Sequence, residues 1–277
     1  MSIKKYIKRG IEYVLSGTPV YNVKPTITYI DSSQKLSGKN IIITGGGRGL
    51  GYAMAKRFVT EGANVIISGR DAEILKKSSL EIGCSFLPLD VQKIETFDDF
   101  LEEAWNILGK VDCLVNNAGV SHHEGNIRNV TLDDFNTQIN TNLRSGYFLS
   151  QKFIEKFEAN QLKSGNILFV SSERGMMADD LPYGITKAAI NTLVQGLARE
   201  LIKSDIRVNA IAPGVTASDM TGFKQDGNLA LSTQSTGRVY YPEEIAEIAS
   251  FLLSDASNLL NGQILVCNEG KSINYRR

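Results

Sequence analysis

Ser172, Tyr183 and Lys187 are the residues of this chain best suited to do chemistry. A tyrosine and a lysine four positions apart lie on one face of a helix. A free phenol titrates near ~10, which makes it a poor acid–base group at neutral pH. A neighbouring ammonium favours the phenolate and draws that value toward the working range. Such a pair can pass a proton to or from a substrate oxygen. Alone, a tyrosine–lysine pair on a helix surface is common and worth little. The rest of the chain has to provide a hydride carrier beside it.

The elements that would position these residues alternate. Ile41–Thr44, Asn64–Ser68, Ser85–Leu89, Val111–Val115, Ile167–Ser171, Val208–Ile211 and Ile264–Val266 are short and continuously apolar. That is the pattern of strands buried on both faces of a parallel sheet. Helical periodicity falls between them, over Leu50–Glu61, Ala72–Glu81, Phe97–Leu108, Leu132–Ala159, Tyr183–Lys203 and Pro242–Leu253. Repeated βα units predict an α/β fold: a Rossmann-like, doubly wound parallel sheet in three layers. A single domain over residues 38–277 is expected, with no internal repeat.

Between the first strand and first helix runs Thr44-Gly45-Gly46-Gly47-Arg48-Gly49-Leu50-Gly51. Glycines there permit positive φ and let the backbone approach a pyrophosphate. The helix N-terminus behind them offers N–H groups and a positive dipole end. The spacing, Gly45-x-x-x-Gly49-x-Gly51, differs from the common G-x-G-x-x-G dinucleotide fingerprint but builds the same device. An NAD-binding acid is expected about 20 residues beyond the glycines. The chain instead has Ser68-Gly69-Arg70, with Arg48 already in the loop. Gly69 makes room, and two guanidinium groups can clamp a 2′-phosphate. NADP(H) is therefore the expected carrier and NAD(H) the alternative. Asp71 comes one position late and reads as the N-cap of the next helix.

Composition narrows the class. The 277 residues carry 30 Lys+Arg and 30 Asp+Glu, a net charge of zero, so no global field attracts nucleic acid. Cys84, Cys113 and Cys267 are widely spaced in apolar surroundings, which suits reduced core thiols and gives no metal-ligand spacing. No metal is expected, and a cytoplasmic location is. No apolar run is long enough to span a bilayer, and no signal-peptide core is evident. Residues 1–37 stand outside the alternation. Ile3, Ile7, Ile11, Val14 and Leu15 at helical spacing, with Lys4, Lys5, Lys8 and Arg9 among them, predict a basic amphipathic helix. Thr26–Ile30 reads as an extra strand. The helix is expected to rest on its own domain or a sister subunit. Membrane contact through residues 1–20 is the less favoured alternative.

Taken in order, these motifs resemble the short-chain dehydrogenase/reductase family, specifically its NADP-preferring, Y-x-x-x-K, 3-oxoacyl-ACP-reductase-like members. The resemblance runs from about Leu36 to Gly270. TGGGRGLG at 44–51 resembles the cofactor loop, and Asp90-Val91 the pair that contacts adenine. Asn116-Asn117-Ala118-Gly119 resembles the motif lying along the cofactor after the fourth strand. Asn142 resembles the helix asparagine of the catalytic set, and Ser172, Tyr183 and Lys187 its serine and Y-x-x-x-K. Pro213-Gly214, followed by Val215, resembles the stretch flanking nicotinamide. The segment between Ser172 and Tyr183 is slightly shorter than in most members, so either Ser171 or Ser172 could bind the carbonyl; Ser172 is preferred. The last strand ends Cys267-Asn268-Glu269-Gly270 where aspartate and paired glycines are more usual.

The resemblance implies an oxidoreductase interconverting a ketone and a secondary alcohol. It makes Tyr183 the general acid in reduction and Lys187 the group that lowers its pKa and holds the nicotinamide ribose. Ser172 would bind the carbonyl, and Asn142 would position a relay water. It also implies a homo-oligomer, dimer or tetramer. Residues 217–238, with Ser218, Met220, Phe223, Leu229, Thr233 and Arg238, are expected to form the substrate loop. It has no long apolar stripe, so a polar ketone such as a sugar derivative or a 3-oxoacyl thioester is the expected substrate. At most one of His122 and His123 should face the pocket, and both read better as exposed loop residues. Met176 and Met177 either line the pocket or pack beneath it. Competing readings are an NAD-linked polyol or sugar dehydrogenase and a slow nucleotide-sensing protein.

Overall fold

The computed structural model describes residues 34–273. The expected amino-terminal helix and the Thr26–Ile30 strand lie outside them. Seven strands form one sheet: β1 (Asn40–Thr44), β2 (Asn64–Gly69), β3 (Ser85–Pro88), β4 (Cys113–Asn116), β5 (Gly165–Val170), β6 (Ile206–Pro213) and β7 (Ile264–Cys267). Their order is β3-β2-β1-β4-β5-β6-β7, and every pairing is parallel. The chain winds outward from β1 in one direction, then restarts at β4 in the other. The carboxyl ends of β1 and β4 are thus the switch point where doubly wound sheets bind ligands.

Among the described residues seven α-helices flank the sheet: α1 (Gly49–Thr60), α2 (Ala72–Ile82), α3 (Phe97–Leu108), α4 (Leu132–Gln138), α5 (Ser145–Ala159), α6 (Pro182–Glu200) and α7 (Pro242–Leu253). Alternating strand residues feed two separate cores. Ile42, Ile66, Leu114 and Ile167 join Phe97, Trp105, Phe153, Phe157 and Val194 on the α3–α5–α6 face. Ile41, Ile43, Val65 and Leu168 join Met54, Phe58, Leu75 and Leu252 on the α1–α2–α7 face. Two buried faces explain why the strands read as unbroken apolar runs.

One expected element is broken. The single helix predicted over Leu132–Ala159 is α4, a π-helical stretch at Ile139–Arg144, and α5. Such a stretch interrupts the regular i→i−4 ladder and is often found at functional sites. Here it brings Asn142 against the loop after β4: Val120 N–H donates to Asn142 Oδ1 at 2.8 Å, and Asn142 Nδ2 donates to Val120 O at 2.9 Å. Helix α6 opens with Pro182 at its first turn, where a missing N–H costs nothing. Tyr183 therefore sits at the mouth end of the helix and Lys187 one turn deeper.

Candidate active site

The carboxyl ends of β1, β2, β4, β5 and β6 open onto a cleft of about 1100 Å³. One wall is the loop after β1. Gly45 and Gly49 have φ of +65° and +55°, the region that favours glycine. A Cβ at Gly51 would lie 2.2 Å from Gly45 O, so α1 starts tight against the turn. Asn117 fastens the loop to β4: its Nδ2 donates to Thr44 O at 2.8 Å and to Gly45 O at 3.0 Å. Thr44 Oγ1 returns the link by accepting Asn117 N–H and Ala118 N–H at 3.1 and 3.0 Å. Arg48 stands at the N-cap of α1, where no side chain caps the helix and no acid lies in its first turn. Helix α2 contrasts, because Asp71 caps it by accepting Glu73 N–H and Ile74 N–H. The free start of α1 suits an anionic ligand. Gly69, at the end of β2 where a ribose-binding acid is expected, and Arg70 line the same cleft; Asp71 and Glu73 follow in its wall, Asp71 being engaged as the cap of α2. A dinucleotide fits this arrangement, and one carrying a 2′-phosphate fits its charges.

The second group of residues lies further along. Lys187 is 4% exposed; its Nζ donates to Val170 O at 2.8 Å and lies 5.5 Å from the centre of the Tyr183 ring. Burial pulls the Lys187 ammonium down to about 8. Burial also raises the Tyr183 phenol above its ordinary value; the Ser172 hydroxyl and the Arg174 guanidinium oppose that rise, and the Glu173 carboxylate adds to it.

The two serines divide. Ser171 Oγ donates to Lys187 O at 3.2 Å and Asn191 Oδ1 at 2.7 Å, which ties it to α6. Ser172 caps the short 3₁₀ turn Glu173–Met176, accepting Arg174 N–H at 3.2 Å, and its hydroxyl acts on the Tyr183 phenol. Asn142 is 4% exposed, held by Val120 and donating to Thr186 Oγ1 at 3.3 Å. It stands behind the cleft wall.

The opposite rim is the chain after β6. Ser218, Asp219, Met220 and Thr221 line the cleft; Phe223, Leu229, Thr233 and Arg238 do not. Arg238 forms a two-pronged pair with Glu244, at 2.9 and 2.7 Å, and anchors the far end of the loop to α7. His122 and His123 are both exposed and neither lines the cleft. His122 pairs with Asp134 at 3.1 Å, and His123 Nε2 meets Met220 O at 2.6 Å. Met176 and Met177 are exposed as well, and lie off the cleft wall.

Of the residues expected from sequence to hold a cofactor, Gly45, Gly47, Arg48, Gly49, Leu50, Gly51, Gly69, Arg70, Asp90, Val91, Asn117, Ala118, Gly119, Pro213 and Gly214 line the cleft. Thr44 lies beneath it. Val215 is not in the wall; its carbonyl accepts Tyr240 N–H at 2.9 Å, and Thr216 lines the cleft instead. Ser121, Thr141 and Asp219 are wall residues that no spacing marked. The three cysteines are free, and burial pushes Cys84 and Cys267 up to about 11 and Cys113 to about 12. Among the described residues no helix is long and apolar enough to cross a membrane.

Sheet order, glycine turn and the serine–tyrosine–lysine cluster define a class, and comparison with known proteins agrees. A family model described as enoyl-(acyl carrier protein) reductase matches residues 45–272. The 3-oxoacyl-[acyl-carrier-protein] reductase FabG of Chlamydia pneumoniae is 34% identical over 244 residues, 85% of this chain and 97% of that one. The crystal structure of 3-ketoacyl-(acyl-carrier-protein) reductase from Brucella melitensis complexed with NADH matches with a TM-score of 0.80 at 33% identity, covering 86% of this chain and 100% of that one. A short chain dehydrogenase from Burkholderia cenocepacia J2315 in complex with NADP matches with a TM-score of 0.76 at 29% identity, covering 86% and 99%. The chain belongs to the short-chain dehydrogenase/reductase family, a family of oxidoreductases acting between carbonyl and CH–OH groups.

Proposed function

We propose that this protein is an NADP(H)-dependent ketoreductase that reduces a polar ketone of the 3-oxoacyl type, or a sugar-like ketone, to its secondary alcohol. The observation that carries the reading is the meeting of Ser172, Tyr183 and Lys187 in the cleft that the glycine loop closes at its other end. The pyrophosphate would rest on the backbone of Gly45–Gly51 and the start of α1. Arg48 and Arg70 would hold the 2′-phosphate, Asp90 and Val91 the adenine, and Ala118, Gly119, Pro213 and Gly214 the nicotinamide half. Bound there, the reduced nicotinamide supplies the hydride.

This chain's residues then manage the oxygen. Ser172 donates a hydrogen bond to the carbonyl and to the alkoxide forming from it. Tyr183, kept protonated by its burial, gives that oxygen a proton. Lys187, pulled down to about 8, takes up and releases protons near neutral pH and so can restore the phenol. Asn142, behind Lys187, orders the route from there to solvent. Ser121, Ser218 and Thr221 give the substrate side a polar lining.

Tyr183→Phe tests the reading. Turnover with NADPH and a panel of ketones should fall by roughly 10³-fold, while NADPH still binds by fluorescence titration. Full turnover in that variant would remove the acid assignment. We further propose a cytoplasmic homo-oligomer, dimer or tetramer. Leu132, Phe135 and Tyr147 on α4 and α5 and Ile185 on α6 are 73%, 40%, 48% and 43% exposed, and a partner chain would cover them.

A further inference from the structure

Glu173 has no part in the chemistry above, yet it directly follows Ser172 and is 5% exposed. A buried carboxylate is costly unless it is paired and hydrogen-bonded. Both oxygens are used. Lys271 Nζ meets Oε1 at 2.9 Å and Asn268 Nδ2 donates to Oε2 at 3.0 Å. Asn268, 1% exposed, also donates to Ser272 Oγ at 3.1 Å. Lys271 N–H closes the turn on Asn268 O at 3.1 Å. The stretch after β7 is therefore a clamp built around one carboxylate. The other side of the clamp is Gly214, where a Cβ would lie 3.1 Å from Asn268 Cβ and 3.3 Å from Glu173 Oε2.

We infer that Asn268 and Lys271 are positioning residues for the reaction: by holding both carboxylate oxygens of Glu173 they fix the turn that carries Ser172. The inference rests on the catalytic reading of Ser172 and Tyr183. It assigns a use to the Cys267-Asn268-Glu269-Gly270 ending, which departs from the usual pattern. The groups that face Tyr183 are Lys187 on α6, Ser172, and Glu173 and Arg174 on the turn. Arg174 is itself paired with Asp179 at 2.5 Å. Those that face Glu173 are Lys271, Asn268 and Tyr240, the last held to Glu269 at 3.2 Å.

The two halves of the clamp carry opposite charge, so their loss acts in opposite directions. Removing the Glu173 charge takes away a group that disfavours phenolate. Removing Lys271 leaves that charge unpaired and strengthens its effect. The experiment is a titration of the full chain carrying tyrosine labelled with ¹³C at Cζ, with the Tyr183 resonance assigned by its absence in Tyr183→Phe. Glu173→Gln should move the Tyr183 midpoint to lower pH and Lys271→Met to higher pH. Lys271→Arg should return it to the wild-type value. In turnover, Lys271→Met should lower kcat by roughly 10-fold or more, as expected for a displaced catalytic turn, and Lys271→Arg should restore most of it. Glu173→Gln is nearly isosteric and Lys271 is partly exposed, so thermal melts should show both variants folded. Shifts in the same direction, or none, overturn the inference. A failure of the catalytic reading appears separately, as turnover retained in Tyr183→Phe.

Discussion

The two walls of the cleft are made in different ways. The glycine-loop wall is held by links that end on backbone: Asn117 to Thr44 O and Gly45 O, and Thr44 to the N–H groups of Asn117 and Ala118. It cannot shift without breaking several hydrogen bonds at once. The wall formed by residues 216–221 bonds mostly to itself, as with Thr221 Oγ1 on Thr216 O at 2.7 Å. At its base Thr216 Oγ1 donates to Gly214 O at 3.0 Å and Ala217 N–H to Tyr240 O at 2.9 Å; further out it is tied across by His123 on Met220 O and by Arg48 with Asp219. A wall that serves a dinucleotide can be rigid because that ligand is the same in every cycle. A wall that admits and releases a substrate has to be easier to move.

The largest effect should follow from forcing the rigid wall. A Cβ at Gly51 would meet Gly45 O at 2.2 Å and Asn117 Nδ2 at 2.6 Å. Gly51→Ala is expected to cost about 2–4 kcal/mol and to abolish NADPH binding. Urea denaturation and fluorescence titration measure the two. Ser218→Ala on the other wall should cost less than about 0.5 kcal/mol. Equal losses at the two positions would break the contrast.

Next is the buried ammonium between the walls. Lys187 falls from 10.5 to about 8 on folding, so between those values the unfolded chain binds the extra proton. Stability from this group is therefore lowest below pH 8 and recovers as pH rises toward 10.5. At about 1.4 kcal/mol for each pH unit, the cost at neutral pH approaches about 3 kcal/mol. Lys187→Met removes it but leaves Val170 O without its donor, which takes back about 1–2 kcal/mol. The variant should be inactive yet more stable by about 1–2 kcal/mol at pH 7, with the gain shrinking by pH 9.5. Denaturation at the two pH values checks the sign, and a gain that grows with pH would contradict it.

The same contrast explains what could be read from sequence. The strands were legible because β1, β4 and β6 are buried on both faces and hence unbroken in apolar residues. The glycine wall was legible because the φ of Gly45 favours glycine and the contact at Gly51 leaves no room for a Cβ. The π-helical break at Ile139–Arg144 was not, since the apolar period continues through it and the cause is a tertiary grip on Val120. Nor could spacing choose between Ser171 and Ser172, which differ only in which neighbour each hydroxyl reaches. Arg48 and Arg70 were found as charges, but Asp219, the acid beside Arg48, lies far along the chain in a stretch without periodicity.

Arg70 sharpens the rigid side. Arg70→Asp replaces a charge that suits a 2′-phosphate with one that repels it. The NADPH/NADH ratio of kcat/KM should fall by roughly 10- to 100-fold, in line with the loss of one charge-assisted hydrogen bond. An unchanged ratio would detach Arg70 from the cofactor.

The smallest effect tests the joint between the walls. Arg48 Nη1 lies 3.6 Å from Asp219 Oδ2, with the side chains 69% and 80% exposed. An exposed pair of this kind is worth about 0.2–1 kcal/mol and is screened by salt. If Arg48 also serves a 2′-phosphate, Asp219 competes for it. Asp219→Ala should then lower KM for NADPH by only about 2- to 5-fold, leave KM for NADH unchanged, and lose its effect in high salt. His123→Ala removes the other tether and should raise KM for the ketone while leaving NADPH alone. If both variants changed the same constant, the two contacts would belong to one wall, because only a tether shared with the rigid side can be felt by the cofactor.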